Sequence, residues 1–153
     1  MKTKLVDLLD RKTEAFKSEL VYDSLNEEQK RVYNAFVYRR AKPYRFAVND
    51  SYGNTVRFTL YTNKIDEGVL HVLTKHYNGN VGAVTSKEIV NLCDVVRYGK
   101  IKSDGRKMSY TLQKGVNTLC LIVGLKKSKT GENILKSFYS NRKTSRTACS
   151  GNN

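Results

Sequence analysis

The two histidines of the chain, His71 and His76, lie in one short segment, GVLHVLTKH at residues 68 to 76. On an ideal α-helix, where successive residues are about 100° apart, His71 and Lys75 form a polar ridge, and His76 projects among apolar side chains on the core-facing side. An imidazole titrates near neutral pH and can take or give a proton, and a lysine can hold a phosphate. The segment therefore predicts acid–base chemistry on an anionic substrate or, for His76, a hydrogen-bonded core histidine.

The positive charge of the chain is concentrated in its carboxy-terminal third. The 153 residues include 28 Lys and Arg and 14 Asp and Glu, a net charge of +14. Residues 1 to 96 hold 15 basic and 12 acidic side chains, whereas residues 97 to 153 hold 13 basic side chains and only Asp104 and Glu132 as acids. A cationic surface of this kind most often meets nucleic acid. An anionic membrane face, an acidic protein partner and a solvated exterior without a partner stay as alternatives.

A histidine pair beside such a surface suits metal-free cleavage of RNA. A base takes the proton from the ribose 2′-hydroxyl, which attacks the adjacent phosphate, while an acid protonates the leaving 5′-oxygen and cations stabilise the phosphorane. Asp104 and Glu132 form no spaced carboxylate cluster, and the cysteines (Cys93, Cys120, Cys149) form no CxxC pair and have no neighbouring histidine. We therefore expect no metal and no cofactor.

Apolar spacing and turn residues predict the elements that would position these groups. Ser24 with Glu27 and Thr85 with Glu88 have the spacing of capping boxes, which begin helices, and Pro43 closes the first helical region. Short connections between the last strands are typical of an antiparallel meander. In chain order the prediction is helices over 5–21 and 25–40, a hairpin over 44–62, helices over 65–77 and 85–96, and strands over 100–103, 108–113, 116–125 and 133–140.

This order predicts an α+β fold, an antiparallel sheet of about four main strands plus an N-terminal hairpin, with helices packed on one face. We expect residues 1–43 to form a helical segment that packs on the main domain. Residues 44–144 would form that domain, and residues 145–153 a disordered tail, since nothing apolar is left there to pack.

No segment of the sequence predicts a membrane span or a secretory signal. The longest apolar run, residues 119 to 123, is far shorter than the roughly 20 residues that cross a bilayer, and the amino terminus has no apolar core. We expect no membrane partner and a cytoplasmic site of action. Delivery by a phage, or secretion as part of a larger system, would leave the same sequence features.

Two helical segments and the last strand have the motif spacings of a known family. The segments are GVLHVLTKH, then KEIVNLCDVVRYGKI, and finally NILKSFYSNRK, which carries a hydroxyl residue. The first two resemble the "G-L-x-H-I-x-x-K-H" and "I-x-x-I-x-x-x-G-x-V" segments in the phage and polymorphic-toxin branch of the barnase–EndoU–colicin–RelE (BECR) superfamily of ribonucleases. The resemblance covers about residues 56 to 144 and implies a BECR-like nuclease domain, with the first 43 residues outside it.

By this resemblance His71, Lys75 and His76 would be catalytic, with His76 as acid or base and Lys75 as a phosphate contact. The family often has a threonine two positions before an aromatic residue of the last strand, where this chain has Lys136 beside Ser137. Three alternatives stay open: Ser137 supplies the hydroxyl, Lys136 replaces it with a charge, or the chain is inactive. The candidates for RNA or phosphate binding are Lys136, Arg142, Thr144, Arg97, Lys100 and Tyr139.

The leading prediction is a metal-independent endoribonuclease that leaves a 2′,3′-cyclic phosphate. The family implies a toxin or effector, which would need an inhibitor in its producer. The net charge of +14 suggests that this partner is an acidic antitoxin or immunity protein. A second class is a non-catalytic nucleic-acid-binding module, including a phage-associated one, and a third is a structural or virion-associated protein. His76→Ala separates the first two, because it would abolish cleavage by an enzyme but cost a binding module little affinity.

Overall fold

The computed structural model describes residues 4–39, 45–62, 64–125 and 133–142, which form an α+β fold. Helices α1 to α5 span Lys4–Ser18, Glu27–Tyr38, Gly68–His71, Ser86–Val90 and Leu92–Tyr98, with a 3-10 turn at Tyr22–Ser24 and a π-helical turn at Val72–His76. Strands β1 to β6 span Arg45–Asn49, Thr55–Thr59, Lys100–Asp104, Lys107–Lys114, Asn117–Gly124 and Asn133–Ser140. Within the described ranges, every helix is too short or too polar to cross a membrane. Pro43, Thr144 and the predicted tail over 145–153 lie outside the described residues.

The six strands form one sheet in the order β1-β2-β6-β5-β4-β3. Neighbouring strands are antiparallel except β2 and β6, which run parallel and pair through Phe58 with Asn133 and Thr59 with Ile134. The sheet is therefore mixed, and the predicted antiparallel sheet of about four strands plus a hairpin describes it only roughly. The difference arises because the β1–β2 hairpin joins the sheet at β6, and the chain between β2 and β6 is long enough for the crossover that a parallel pair requires.

One face of the sheet packs against the helices and holds the main core. α5 contacts β1, β4 and β5, and α3 contacts β6. The strand residues Tyr110, Leu121 and Phe138 are buried in this core. Phe16 of α1 and Phe36 of α2 belong to the same core, and their stacked rings lie 5.6 Å apart. The first two helices and the sheet therefore share one apolar interior.

Side-chain caps define where two helices begin. The predicted Thr85–Glu88 capping box is confirmed at α4, with both reciprocal hydrogen bonds at 3.0 to 3.1 Å. The box predicted at Ser24 is wrong, because that hydroxyl donates to the Val21 carbonyl at 2.7 Å within the 3-10 turn. The box that caps α2 instead joins Asn26 and Gln29. Each box satisfies amide groups that the first helical turn leaves without a partner.

The opposite face of the sheet is polar and basic. Side chains alternate along a strand, and Ile101 and Tyr110 point toward the main core, so their neighbours point to the second face. Lys100 and Lys102 of β3 and Lys107 of β4 lie on that face, which we call the basic face. Its small apolar cluster consists of Cys120, Ile122 and Tyr139.

Candidate functional site

A π-helical turn brings the two histidines together. Immediately after α3, the backbone N–H of Tyr77 donates to the carbonyl of Val72 at 2.7 Å, five residues back instead of four. Residues five apart therefore share one side of the turn, and the ring centroids of His71 and His76 lie 5.0 Å apart. With α-helical spacing, His71 was expected on the polar ridge and His76 on the core-facing side. The π turn corrects this expectation, because it brings the two side chains together. Lys75 is exposed on the same turn.

Helix α1 anchors the end of the π turn. The ring of Tyr77 is fully buried and meets Phe16 edge-on at 5.6 Å. Its hydroxyl donates to Glu19, and Lys12 donates to its backbone carbonyl. These contacts hold the residue that directly follows His76. π-helical turns are rare and occur frequently at functional sites, so the turn independently marks this segment.

His76 is buried, as the sequence predicted for its core-facing position, and its side chain is 2% exposed. Its Nδ1 lies 3.1 Å from the Val81 carbonyl, which can only accept, so we assign the proton to Nδ1 and a free lone pair to Nε2. Nε2 has no hydrogen-bond partner among the described residues. The ring packs on Tyr139 at 5.5 Å, and burial lowers the pKa of His76.

The packing of His76 on Tyr139 leaves little room for a side chain at Gly82. This glycine has a φ of +65°, and a Cβ there would lie 3.2 Å from both the His76 ring and the Cβ of Tyr139. Its backbone N–H donates to the carbonyl of Arg142 and its carbonyl accepts from the N–H of Ser140, both at 3.1 Å. Only glycine fits a left-handed backbone pressed against a ring in this way.

His71 is half-buried and lies nearer to solvent than His76. Burial, the adjacent His76 and the charge of Lys75 together lower the pKa of His71 to about 4, and Lys136 adds to the effect. The imidazole of His71 is therefore unprotonated at neutral pH. An unprotonated imidazole that reaches solvent can accept a proton from a hydroxyl.

Lys136 lies next to the irregularity that shifts the pairing of β5 and β6 between Ile122 and Val123. Its Nζ donates to Glu67 Oε1 at 2.9 Å, and Thr62 Oγ1 donates to Glu67 Oε2 at 2.8 Å. Burial raises the pKa of Glu67, but these two hydrogen bonds outweigh it and hold the pKa below the ordinary value. The sequence reasoning missed Glu67, whose single signal was its place directly before GVLHVLTKH.

Ser137 lies two positions before Tyr139 on the same face of β6. Its hydroxyl is buried and has no hydrogen-bond partner in the described part of the chain, like Nε2 of His76. Buried polar groups are nearly always hydrogen-bonded, so two unpartnered ones on adjacent elements are unusual. The rings of His71, His76 and Tyr139 contact one another in sequence, and Ser137 is their neighbour through its position beside Tyr139 on β6. We call these four residues the histidine cluster, with Lys75 and Lys136 at its rim.

Arg142, Arg97 and Lys100, three of the other predicted contacts, do not join this cluster. Arg142 makes two hydrogen bonds of 2.6 Å to the Glu88 carboxylate, and Arg97 bonds to Glu28 at 2.7 Å and to Asp94, so both guanidinium charges are already balanced. Lys100 is exposed on edge strand β3, and Thr144 lies outside the described residues. Tyr139 does belong to the cluster, but its burial against His76 closes it to stacking with a base.

The described residues include no group of three or more His, Cys, Asp or Glu arranged to hold a metal ion. No protein-family model, no curated protein and no solved structure matches this chain. The histidine cluster and the basic face are therefore the features from which a function can be inferred.

Proposed function

We propose that this protein is a metal-independent endoribonuclease of the BECR type, which cleaves RNA by attack of the 2′-hydroxyl and leaves a 2′,3′-cyclic phosphate. The observation that carries the proposal is the pair of imidazoles, His71 and His76, held 5.0 Å apart by a π-helical turn. His71 is unprotonated at neutral pH and reaches solvent. Lys75 adds an exposed positive charge at the rim, where Lys136 is held by its hydrogen bond to Glu67 at 2.9 Å.

In this mechanism His71 takes the proton of the ribose 2′-hydroxyl as the O2′–P bond forms. The P–O5′ bond breaks, and the exposed ammonium of Lys75 gives a proton to the leaving oxygen. Lys136 uses one N–H on Glu67 Oε1, and its remaining N–H groups donate to a non-bridging oxygen of the phosphorane. This assignment differs from the expectation that His76 is itself the acid or base and Lys75 a phosphate contact, because His76 is 2% exposed whereas Lys75 is open to solvent. His76 acts here as a positioning residue for His71.

The basic face supports RNA as the substrate. Lys100, Lys102 and Lys107 lie on the sheet face that also carries Ser137 and Tyr139 of the cluster. Lys100 and Lys102 are exposed. Lysines on one surface hold a polyanion through its phosphates and give binding that weakens steeply with salt. A nucleic acid that follows this face would reach the histidine cluster at β6.

The proposal includes a biological role as a toxin or effector that acts in the cytoplasm. Free ribonuclease activity would harm the cell that makes it, so an acidic antitoxin or immunity protein would accompany it. The basic face fits an acidic partner, because opposite charges favour fast and specific association. Such a partner would compete with RNA for the same surface.

The test is incubation of the purified protein with total RNA in excess EDTA, followed by end-group analysis of the fragments. We expect cleavage that survives EDTA and leaves cyclic phosphate, and a loss of at least about 100-fold in His71→Ala, as for removal of a general base. Lys114→Ala is the matched control, because this exposed lysine lies at the far end of β4. Loss of activity on addition of EDTA, or full activity in His71→Ala, would overturn the proposal.

A non-catalytic nucleic-acid-binding module is the second candidate, and one observation favours it. The Nε2 atom of His76 is sealed from solvent and its Nδ1 is already hydrogen-bonded, as in a structural histidine. In this case RNA would stay intact in the same assay but shift on a gel, with affinity falling steeply as salt rises. His71→Ala would then change affinity little.

A further inference from the structure

A pocket of about 260 Å³ opens beside the histidine cluster, where the ends of β4, β5 and β6 meet. Arg106 lines it from the β3–β4 turn, Lys107 from the start of β4, and Gly124 from the end of β5. Lys136 and Glu67 line it from the side of the cluster. Neither Arg106 nor Lys107 was among the candidates that the sequence provided. The pocket thus joins Lys107 of the basic face and the adjacent Arg106 to a lysine at the rim of the cluster.

Gly124 gives the pocket its shape. A Cβ at this position would lie 2.9 Å from both Cγ and Cδ of Lys136, so a larger residue would displace the lysine stem. The stem therefore rests on the bare backbone of β5, and the ammonium group reaches Glu67 at 2.9 Å. Lys107 is the register partner of Gly124 on the neighbouring strand. The three strand ends thus form one continuous wall.

The charges around the pocket do not cancel. Lys136 is balanced by Glu67, which is 4% exposed. Arg106 and Lys107 form no ion pair with an acid among the described residues, although Asp104 is the register partner of Lys107 across the β3–β4 turn. A concave site with two uncompensated cations favours an anion, and a guanidinium beside an ammonium is a common arrangement for phosphate.

We propose that Arg106 and Lys107 bind the phosphate of a nucleotide next to the cleaved bond of a single-stranded RNA. Lys136 borders both the pocket and the cluster, so a strand whose scissile phosphate lies beside His71 would place a neighbouring phosphate at the pocket. This subsite rests on the proposed function and deepens it. The subsite would determine which phosphate of the RNA strand lies beside His71.

The test measures binding of a single-stranded RNA ten nucleotides long, with every 2′-hydroxyl methylated so that it cannot be cleaved. In a series of such RNAs, one linkage at a time is a neutral methylphosphonate. We expect one position at which the neutral linkage weakens binding to the native chain about tenfold. Arg106→Ala combined with Lys107→Ala should weaken binding of the charged RNA by a similar factor. It should also reduce the salt slope by about 0.7 unit for each lost phosphate contact of the single strand, for one to two contacts.

The decisive result is the combination of both changes. At the sensitive position, the neutral linkage should not weaken RNA binding by the double variant any further. The variant lacks the two cations that contact this phosphate, so removal of the phosphate charge has no additional effect. Lys114→Ala should keep the full tenfold sensitivity. Equal sensitivity in the native chain and the double variant, no sensitive position at all, or no binding of the charged RNA would overturn the subsite.

Cleavage of unmodified RNA in EDTA by the same preparations reports separately on the proposed function. If the protein cleaves RNA but no linkage is sensitive, the phosphate subsite is wrong and the ribonuclease proposal stands. If one linkage is sensitive only in the native chain and the protein cleaves no RNA, the phosphate site stands and the ribonuclease proposal is wrong. Circular dichroism and thermal unfolding of the double variant show whether its fold is retained, which we expect because Arg106 is exposed and Lys107 is partly exposed.

Discussion

The rings of His71 and His76 meet edge to face, with centroids 5.0 Å apart and planes at 73°. Burial lowers the pKa of both imidazoles, to about 4 for His71. A second positive charge at this distance would be costly, so a proton on His76 opposes protonation of His71. The stability of the fold and the pH dependence of any activity should both report on this pair.

Stability should fall as the pH drops below neutrality. The pKa of His71 is about 4 in the fold against an ordinary 6.5, so between these values the unfolded chain binds the proton more readily. The stabilisation is complete above pH 6.5 and is lost as the pH falls toward 4. We expect a loss on the order of 2 kcal/mol, measured by urea unfolding at pH 7 and pH 4.5. His71→Gln should show a shallower dependence, and identical slopes in both proteins would contradict the prediction.

His76→Asn and His76→Ala should differ in stability but not in the direction of their effect on activity. Asparagine keeps an N–H that can donate to Val81, whereas alanine leaves a cavity beside Tyr139. We expect His76→Ala to lose about 2 to 4 kcal/mol and His76→Asn clearly less.

In kinetics with RNA, His76→Asn and His76→Ala should both lower kcat/KM. Both should also shift the acidic limb of the pH profile of kcat/KM to higher pH. The reason is that His71 loses a neighbour that lowers its pKa. An unchanged profile in His76→Asn, with activity reduced, would mean that His76 acts in some way other than through His71.

Gly82→Ala should destabilise the fold more than Gly115→Ala. Both glycines have positive φ, +65° and +61°. Both substitutions should therefore introduce a similar backbone strain, which lowers the unfolding free energy by about 1 kcal/mol. A Cβ at Gly82 also presses on His76 and Tyr139, whereas a Cβ at Gly115 meets nothing within 4 Å. We expect an excess loss of about 1 to 2 kcal/mol for Gly82→Ala in chemical denaturation. Equal losses of unfolding free energy in the two variants would show that the Gly82 segment can shift away from His76 and Tyr139 without cost.

Glu67→Gln should cost about 1 to 3 kcal/mol at pH 7, since it leaves Lys136 without its carboxylate. The pKa of Glu67 is below its ordinary value of 4.5, so its contribution is present above that pH and lost as the pH falls through the lowered pKa. The difference between native and variant unfolding free energies should therefore shrink at pH 3.

The matched control is Glu27→Gln, which removes a carboxylate that is 93% exposed and lies 3.9 Å from Lys30. Its effect should stay within about 0.5 kcal/mol, because exposed ion pairs contribute little. A Glu67→Gln protein as stable as this control would indicate that the Glu67–Lys136 pair has no net stabilising effect.

Local features of the chain were predictable from the sequence. Apolar periodicity placed the helices and strands in the right order, because side-chain spacing reflects burial on one face of an element. The Thr85–Glu88 box and the burial of His76 are both confirmed, since each depends on neighbours a few residues away. The α+β class followed from that order of elements.

The tertiary structure alone decided which distant residues meet. Glu67 and Lys136 are 69 residues apart and Arg97 and Glu28 are equally separated, so no local spacing relates them. The parallel pairing of β2 with β6 likewise depends on a crossover whose path packing determines.

The geometry of the candidate site was decided in the same way. A helical repeat read from sequence assumes α-helical spacing, but the contacts of Tyr77 with α1 and of His76 with Val81 accompany a π turn. The residue types His71, His76 and Lys75 came from the sequence. Their arrangement as a half-exposed imidazole in front of a buried one came from packing, because long-range contacts set where a helix ends.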